Sequence, residues 1–340
     1  MSTRTARALR AFTVVSLSLA TGMAQTGTPA MVSAANAFLS TLDVQQRKSV
    51  LFAYDDQKQR VRWSNLPVRA VPRAGLAMKD LNGAQRSAAL ALVSAALSRR
   101  GFEKVQQIMD ADQVLKTSSG NNPMFGTDLY HISILGTPSE KNPWMLQFGG
   151  HHLALNITIA GERGVLTPTL TGAQPALYTV DGKTIRPLGQ ESDKAIALLN
   201  ALDESQRKQA ILSFRLADLV LGPGQDGKTI QPEGLKASGM NERQRAMLID
   251  LMSEWANIIH ESSAAARMAE LKAGINDTWF AWSGPTTVVP GRSITAYYRI
   301  QGPNVVIEYA PQTLGGDPSL HVHTMYRDPT NDYGRKFTSK

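Results

Sequence analysis

A chain of 340 residues, 42% hydrophobic and 19% charged, can bury a substantial core and is too apolar to be disordered. It contains no cysteine, which excludes disulfides, thiolate metal ligands and a cysteine nucleophile, so any metal must be held by histidine, carboxylate or methionine. The formal net charge of +8 is spread along the sequence rather than clustered, which argues against nucleic acid as a partner.

Residues 1–24 read as a secretory signal peptide. Arg4, Arg7 and Arg10 precede the apolar run AFTVVSLSLATGM, and Gly22 and Ala24 are the small residues of a cleavage site. Cleavage near Ala24 exports the rest to the periplasm or out of the cell and leaves a charge of about +5. No later segment is apolar enough to span a bilayer.

Helix starts come next. In LDVQQRK (42–48) and LNGAQR (81–86), Asp43 and Asn82 each precede a glutamine by three residues, the pattern of a capping box. Between them, RWSNLPVRAVPRAGL (62–76) is a proline-rich loop expected to lie over the core through Trp63, with Arg69 and Arg73 as alternative anion contacts. GFEKVQQIMDADQVL continues the helical region, and LYHISILG, WMLQF and HHLALNITI alternate as strands do. The proline- and glycine-rich stretch 167–191 reads as a connector.

Beyond it the pattern returns. LDESQRK (202–208) and MNERQR (240–245) repeat the capping signature at Asp203…Gln206 and Asn241…Gln244, displaced by 160 and 159 residues, and Gly234-Leu235 matches Gly75-Leu76 at 159. VLGPGQDGKT (220–229) reads as a helix end followed by turns, its spacing wrong for a phosphate loop. SSAAARMAELKAG then precedes the strand-like TWFAWSG, SITAYYRIQG and NVVIEYA. The fold class implied is α+β and internally duplicated. Each half, 25–166 and 192–340, is a layer of capped helices followed by an antiparallel β-meander, the two forming one compact globule.

Four of the six histidines fall in two clusters, His151-His152 and His321-x-His323. Alternation places His151 with Leu153, Leu155, Ile157 and Ile159 on a core face, and His152 with Ala154, Asn156 and Thr158 on a polar one. His152 is thus the better ligand candidate, with His151 in a core or supporting position. An H-x-H pair on a strand sets two imidazoles on one face about 7 Å apart, within reach of one ion. His152, His321 and His323 are the expected metal ligands, with His151 a further metal-site candidate and Glu308 a fourth ligand or general base. Asn304 and Glu308 coincide with His152 and Asn156 at an offset of 152, so Asn156 and Asn304 are candidate substrate contacts. In YRDPTNDYG, Asp-Pro and Asn-Asp-x-Gly read as turn formers and Arg327 with Asp328 as a structural ion pair; alternatively Arg327 is an anion contact and Asp332 a base or a supporting partner to a histidine. His131 and His260, the latter placed in a helix, read as structural.

WSNLP, GGHHLALN, TPTLTGAQPA, YYRIQGPNVVIEYAPQ and HVHTMYRDPTNDYG, in that order, resemble the bacterial and fungal family known as domain of unknown function 3500. The resemblance covers essentially the whole mature chain. It implies that His151, His152, His321 and His323 belong to family motifs, and it carries no catalytic assignment. No nucleotide, dinucleotide or serine-hydrolase signature is present. The expectation is an exported protein with a histidine-rich zinc or copper site, acting as a metal-dependent hydrolase-like enzyme on a small molecule. The alternative is a non-catalytic extracytoplasmic small-ligand-binding or structural protein.

Overall fold

Alternating strand segments bury one face under helices and the other under loops, and this arrangement is what builds the site. A computed structural model describes residues 27–337; the expected signal peptide lies outside them. Helices α1 (Gly27–Ser40) and α2 (Val44–Val50) lead to β1 (Leu51–Phe52), a short α3 (Gln57–Arg60) and β2 (Leu76–Ala77). Helices α4 (Gly83–Ala96) and α5 (Arg99–Ser118) precede β3 (His131–Leu135), β4 (Trp144–Gly150), β5 (Leu153–Ala160) and β6 (Arg163–Val165). Strand β7 (Thr169–Ala173) and the hairpin β8 (Tyr178–Val180)–β9 (Lys183–Ile185) follow. Then come α6 (Gly189–Ala201), α7 (Glu204–Ala210), β10 (Leu235–Lys236), α8 (Glu242–Ala256) and α9 (Glu261–Ala273). The last strands are β11 (Trp279–Ser283), β12 (Tyr297–Gly302), β13 (Val305–Pro311) and β14 (Val322–Arg327). Leaving aside β1 and α3, the order α1, α2, β2, α4, α5, β3, β4, β5 is followed again by α6, α7, β10, α8, α9, β11, β12, β13.

All four capping boxes form, at the starts of α2, α4, α7 and α8. They are also tied in pairs. Gln85 Nε2 donates to Gln46 Oε1 at 2.8 Å, and Gln244 Nε2 donates to Gln206 Oε1 at 2.8 Å. Gly75 and Gly234 share a further role. Both are left-handed (φ 91° and 94°), and a Cβ on either would meet a strand carbonyl, Ile132 O or Phe280 O, at 2.3 Å.

One twelve-stranded sheet runs β1-β3-β4-β5-β7-β14-β13-β12-β11-β10, with β2 added on β3 and β6 on β5. Its pairs are antiparallel except β1–β3. The two meanders meet through β7, which pairs with β5 at Leu153↔Thr171 and Ala154↔Leu170, and with β14 from Thr169↔Tyr326 to Ala173↔Val322. The stretch 167–191 therefore supplies a central strand as well as a connection. Its alternation, Leu170 to one face and Thr169, Thr171 and Ala173 to the other, is hidden in the sequence by the prolines and glycine around it.

Leu153, Leu155, Ile157, Ile159, Val305, Ile307, Val322 and Tyr326 face the helices, in one core with α1, α4, α5, α6, α8 and α9. The opposite face is covered by loops, through a small cluster of Trp63, Leu135, Met145, Ala154, Leu170, Met325 and Tyr333. Trp63 anchors the 62–76 loop as its burial requires. Residues 220–229 contain no helix end, contrary to expectation. The pattern Gly-Pro-Gly-x-x-Gly turns the chain throughout, and the amides of Val220 and Leu221 are committed to Glu308.

Candidate metal centre

The turn between β4 and β5 consists of His151 and His152 alone, since Gly150 pairs directly with Leu153. His152 adopts φ 61°, a left-handed conformation uncommon outside glycine and asparagine. Two backbone bonds hold it there. Its N–H donates to Asn65 O at 3.0 Å, and its carbonyl accepts from Gly172 N at 2.7 Å. Gly172 lies on β7 directly beneath. A Cβ there would stand 3.3 Å from Cβ and Cδ2 of His152 and 2.8 Å from Val322 O, so only glycine lets the turn rest on the strand at this separation. The two histidines are thus turn residues, and the turn rather than strand alternation sets the direction of their rings, which stack with centroids 3.6 Å apart.

His321 is extended and precedes β14, on which His323 lies. Alternation along this segment puts both imidazoles on the loop face, where they meet His152. His152 Nε2 is 3.0 Å from His321 Nε2, and His321 Nε2 is 3.1 Å from His323 Nε2. The three side chains offer one nitrogen each within 4.8 Å of one another, and all three are buried. Three nitrogens about 2.05 Å from one tetrahedral ion stand roughly 3.3 Å apart, so the spacing fits a single metal with small adjustment.

The partner of the other His321 nitrogen fits as well. His321 Nδ1 lies 2.7 Å from Leu314 O and donates its proton there, which leaves the Nε2 lone pair facing the centre. His323 Nδ1 lies 3.3 Å from the Asn65 side-chain amide and 3.7 Å from Asp218 Oδ1. Burial, reinforced by His151, His323 and His321, pushes the His152 pKa well below its ordinary value, and burial lowers that of His321 to about 4. Both are neutral near pH 7, the form in which imidazole binds a metal.

The chain matches a family model described as protein of unknown function (DUF3500) over residues 24–335. It belongs to the DUF3500 family. No match was found among curated proteins, and none among solved structures. Among the described residues of this DUF3500 chain, no helix is long and apolar enough to cross a membrane.

Other residues expected at the site lie elsewhere in the DUF3500 fold. His151 is outside the ligand group. Its Nδ1 is 2.6 Å from Asp112 Oδ1, and its ring stacks on Phe125 and on His152, so it supports the centre from behind. Glu308 shares the loop face but accepts from Val220 N, Leu221 N and Tyr297 O–H at 2.7–2.8 Å, which uses its carboxylate to anchor a loop. Burial raises its pKa, against these bonds. Asp332 accepts from Arg327 and from Asp328 N, while Arg327 also donates to Asp226 and to the carbonyls of Leu221 and Gly222. Arg327 pairs with Asp332 and Asp226 rather than with Asp328, which pairs with Arg267. Asn156 bridges Gln147 and Pro168 O, and Asn304 sits in the β12–β13 turn with its carbonyl bound to Arg267. His260 caps α9 from outside rather than lying within a helix. The sequence reading missed Asn65, Asp112, Asp218 and Gly172. Asn65 and Gly172 carried a signal, their places in the WSNLP and TPTLTGAQPA motifs. Asp112 and Asp218 become meaningful only through contacts with His151 and His323, more than thirty residues distant in the chain.

Proposed function

We propose that this chain is an exported metalloprotein with a mononuclear centre held by His152, His321 and His323, and that its chemistry is metal-assisted hydrolysis of a small molecule. The observation that carries the reading is the convergence of three buried imidazole nitrogens from segments 169 residues apart, at separations suited to one ion. A divalent zinc or copper ion on three imidazoles keeps a position open and supplies Lewis acidity there. The chain's own residues orient the ligands: Leu314 O fixes the His321 tautomer, Asn65 and Asp218 flank His323, and the His151–Asp112 pair backs His152. The matched element orders and the paired capping boxes favour an origin of the two halves by duplication.

Metal analysis of the purified chain after reconstitution tests the centre. About one equivalent of zinc or copper is expected, with a raised melting temperature, both lost in H321A/H323A. Less than about a tenth of an equivalent with unchanged melting refutes it. A second reading, a non-catalytic small-ligand-binding or structural metal protein, is favoured by the commitment of Glu308 and Asp332 to structural bonds. Turnover of ester, amide or phosphate substrates by the metal-loaded chain, abolished by H323A, decides between them.

A further inference from the structure

We infer that the cavity between α3, the turns at 226–229 and the segment 327–335 binds a small organic oxyanion, a carboxylate or a phosphate monoester, through Arg60. This cavity, of about 770 Å³, is bounded by Tyr54, Arg60, Asp226, Lys228, Arg327 and Tyr333 among others. Arg60 ends α3 and is 7% exposed. Its Nη1 donates to Tyr333 O at 3.1 Å, its Nη2 donates to Tyr54 O, and its Nε–H has no partner. Among the described residues no carboxylate forms an ion pair with it. A buried guanidinium held by two carbonyls and the face of the Tyr54 ring, with one donor unspent, has no counter-charge.

Arg327 on the same wall shows the contrast. It is equally buried, yet its N–H groups are spent on Asp226, Asp332 and two carbonyls. One arginine is spent on its own carboxylates; the other keeps a buried donor with no carboxylate to meet it. The hydroxyl of Tyr54, whose ring lies 4.7 Å from the Arg60 guanidinium, is also buried without a partner. Lys228 is exposed, lines the same cavity and forms no ion pair among the described residues. An anionic oxygen placed there takes the Arg60 Nε–H and the Tyr54 hydroxyl proton as hydrogen bonds and meets Lys228 at the mouth. The remaining volume, beside Tyr54 and Val61, suits an organic body.

Backbone strain points to the same wall. Tyr333 is left-handed (φ 59°, ψ 18°), which is costly for an aromatic residue and persists where the surroundings enforce it. Here Trp63 Nε1 donates to its hydroxyl at 2.8 Å, and that hydroxyl donates to Asp226 at 2.6 Å, so the phenol is held at the cavity edge. The site is separate from the histidines. His323 and Arg327 share one face of β14 about 13 Å apart, and Met325 between them is buried in the cluster with Trp63, Leu170 and Tyr333.

Calorimetric titration of the full chain with inorganic phosphate, phenyl phosphate and benzoate tests the inference and separates phosphate from carboxylate recognition. One saturable site per chain is expected, weakened at least tenfold in R60K, blocked in T229W at the exposed cavity lining, and retained in H323A. Should R60K fail to fold, T229W decides. Absence of saturable binding by all three probes up to about 10 mM overturns the inference. So does undiminished binding in folded T229W, or binding lost in H323A and kept in T229W.

Discussion

The Nε2 atom of His321 has one lone pair, because its Nδ1 proton is given to Leu314 O, and two imidazoles approach it within 3.1 Å. Only one of them can donate to that lone pair; the other meets it with nothing to share. A cation among the three nitrogens resolves the conflict, whereas a proton does so poorly because burial disfavours the charged ring. This sets a pH dependence for the metal-free chain. The unfolded chain binds the His321 proton near pH 6.5, the folded chain only near 4. Stability from this residue is therefore complete above pH 6.5 and is lost as pH falls to 4, on the order of 3 kcal/mol in all. Urea midpoints measured across that window should fall steeply for the metal-free wild type and less steeply for H321Q; equal slopes would remove His321 as the cause. The ligands themselves were legible in the sequence, since H-x-H on an alternating strand dictates a shared face. The same alternation says which face the Glu308 carboxylate joins and nothing of the amides of Val220 and Leu221 that it meets there.

At the scale of elements, a capping box is a local device, and four of them were readable because every atom involved lies within four residues. Their linkage was not readable. Gln46 and Gln85 exchange two amide hydrogen bonds, as do Gln206 and Gln244, so the starts of α2 and α4, and of α7 and α8, are joined by side chains that already serve the backbone. Each glutamine thus stabilises two helix starts, and removing one should leave its partner half-satisfied. Double-mutant cycles are expected to show coupling on the order of 1 kcal/mol between Q46A and Q85A, and again between Q206A and Q244A, while the cross pair Q46A/Q244A adds within roughly 0.5 kcal/mol. Additivity throughout would mean that the bonds are too exposed to matter. Strand β7 marks the limit of element-scale reading. Its five residues, TLTGA, bury no large side chain except Leu170, and what makes them a strand is β14, whose Thr324 meets Thr171 at 2.7 Å across 153 residues of chain.

At the scale of the whole molecule, the repeat offset near 160 residues announced two similar stretches but not that they would share one sheet. Two seams join them. In the sheet, β7 is gripped by β5 on one side and β14 on the other. In the helical layer, Leu97 bridges Ile259, His260 N donates to Ala96 O at 3.1 Å, and Ser98 Oγ donates to Asn257 O at 2.6 Å. Separating the stretches would expose the apolar flanks of both seams at once, so residues 27–166 alone should fail to give a monomer with a cooperative melt, and the intact chain should unfold in one urea transition. The proposed centre crosses the first seam, with His152 contributed from one side and His321 and His323 from the other. A metal there binds only when the sheet is closed, and at a thousand times its Kd it adds about 4 kcal/mol to that closure. Co-expressed fragments 27–166 and 167–337 should accordingly associate more tightly with zinc or copper than in chelator, and this difference should vanish in H152A. Association equally tight in chelator, or a fragment 27–166 that melts cooperatively as a monomer, would show that the seam holds without the metal or that the stretch needs no partner.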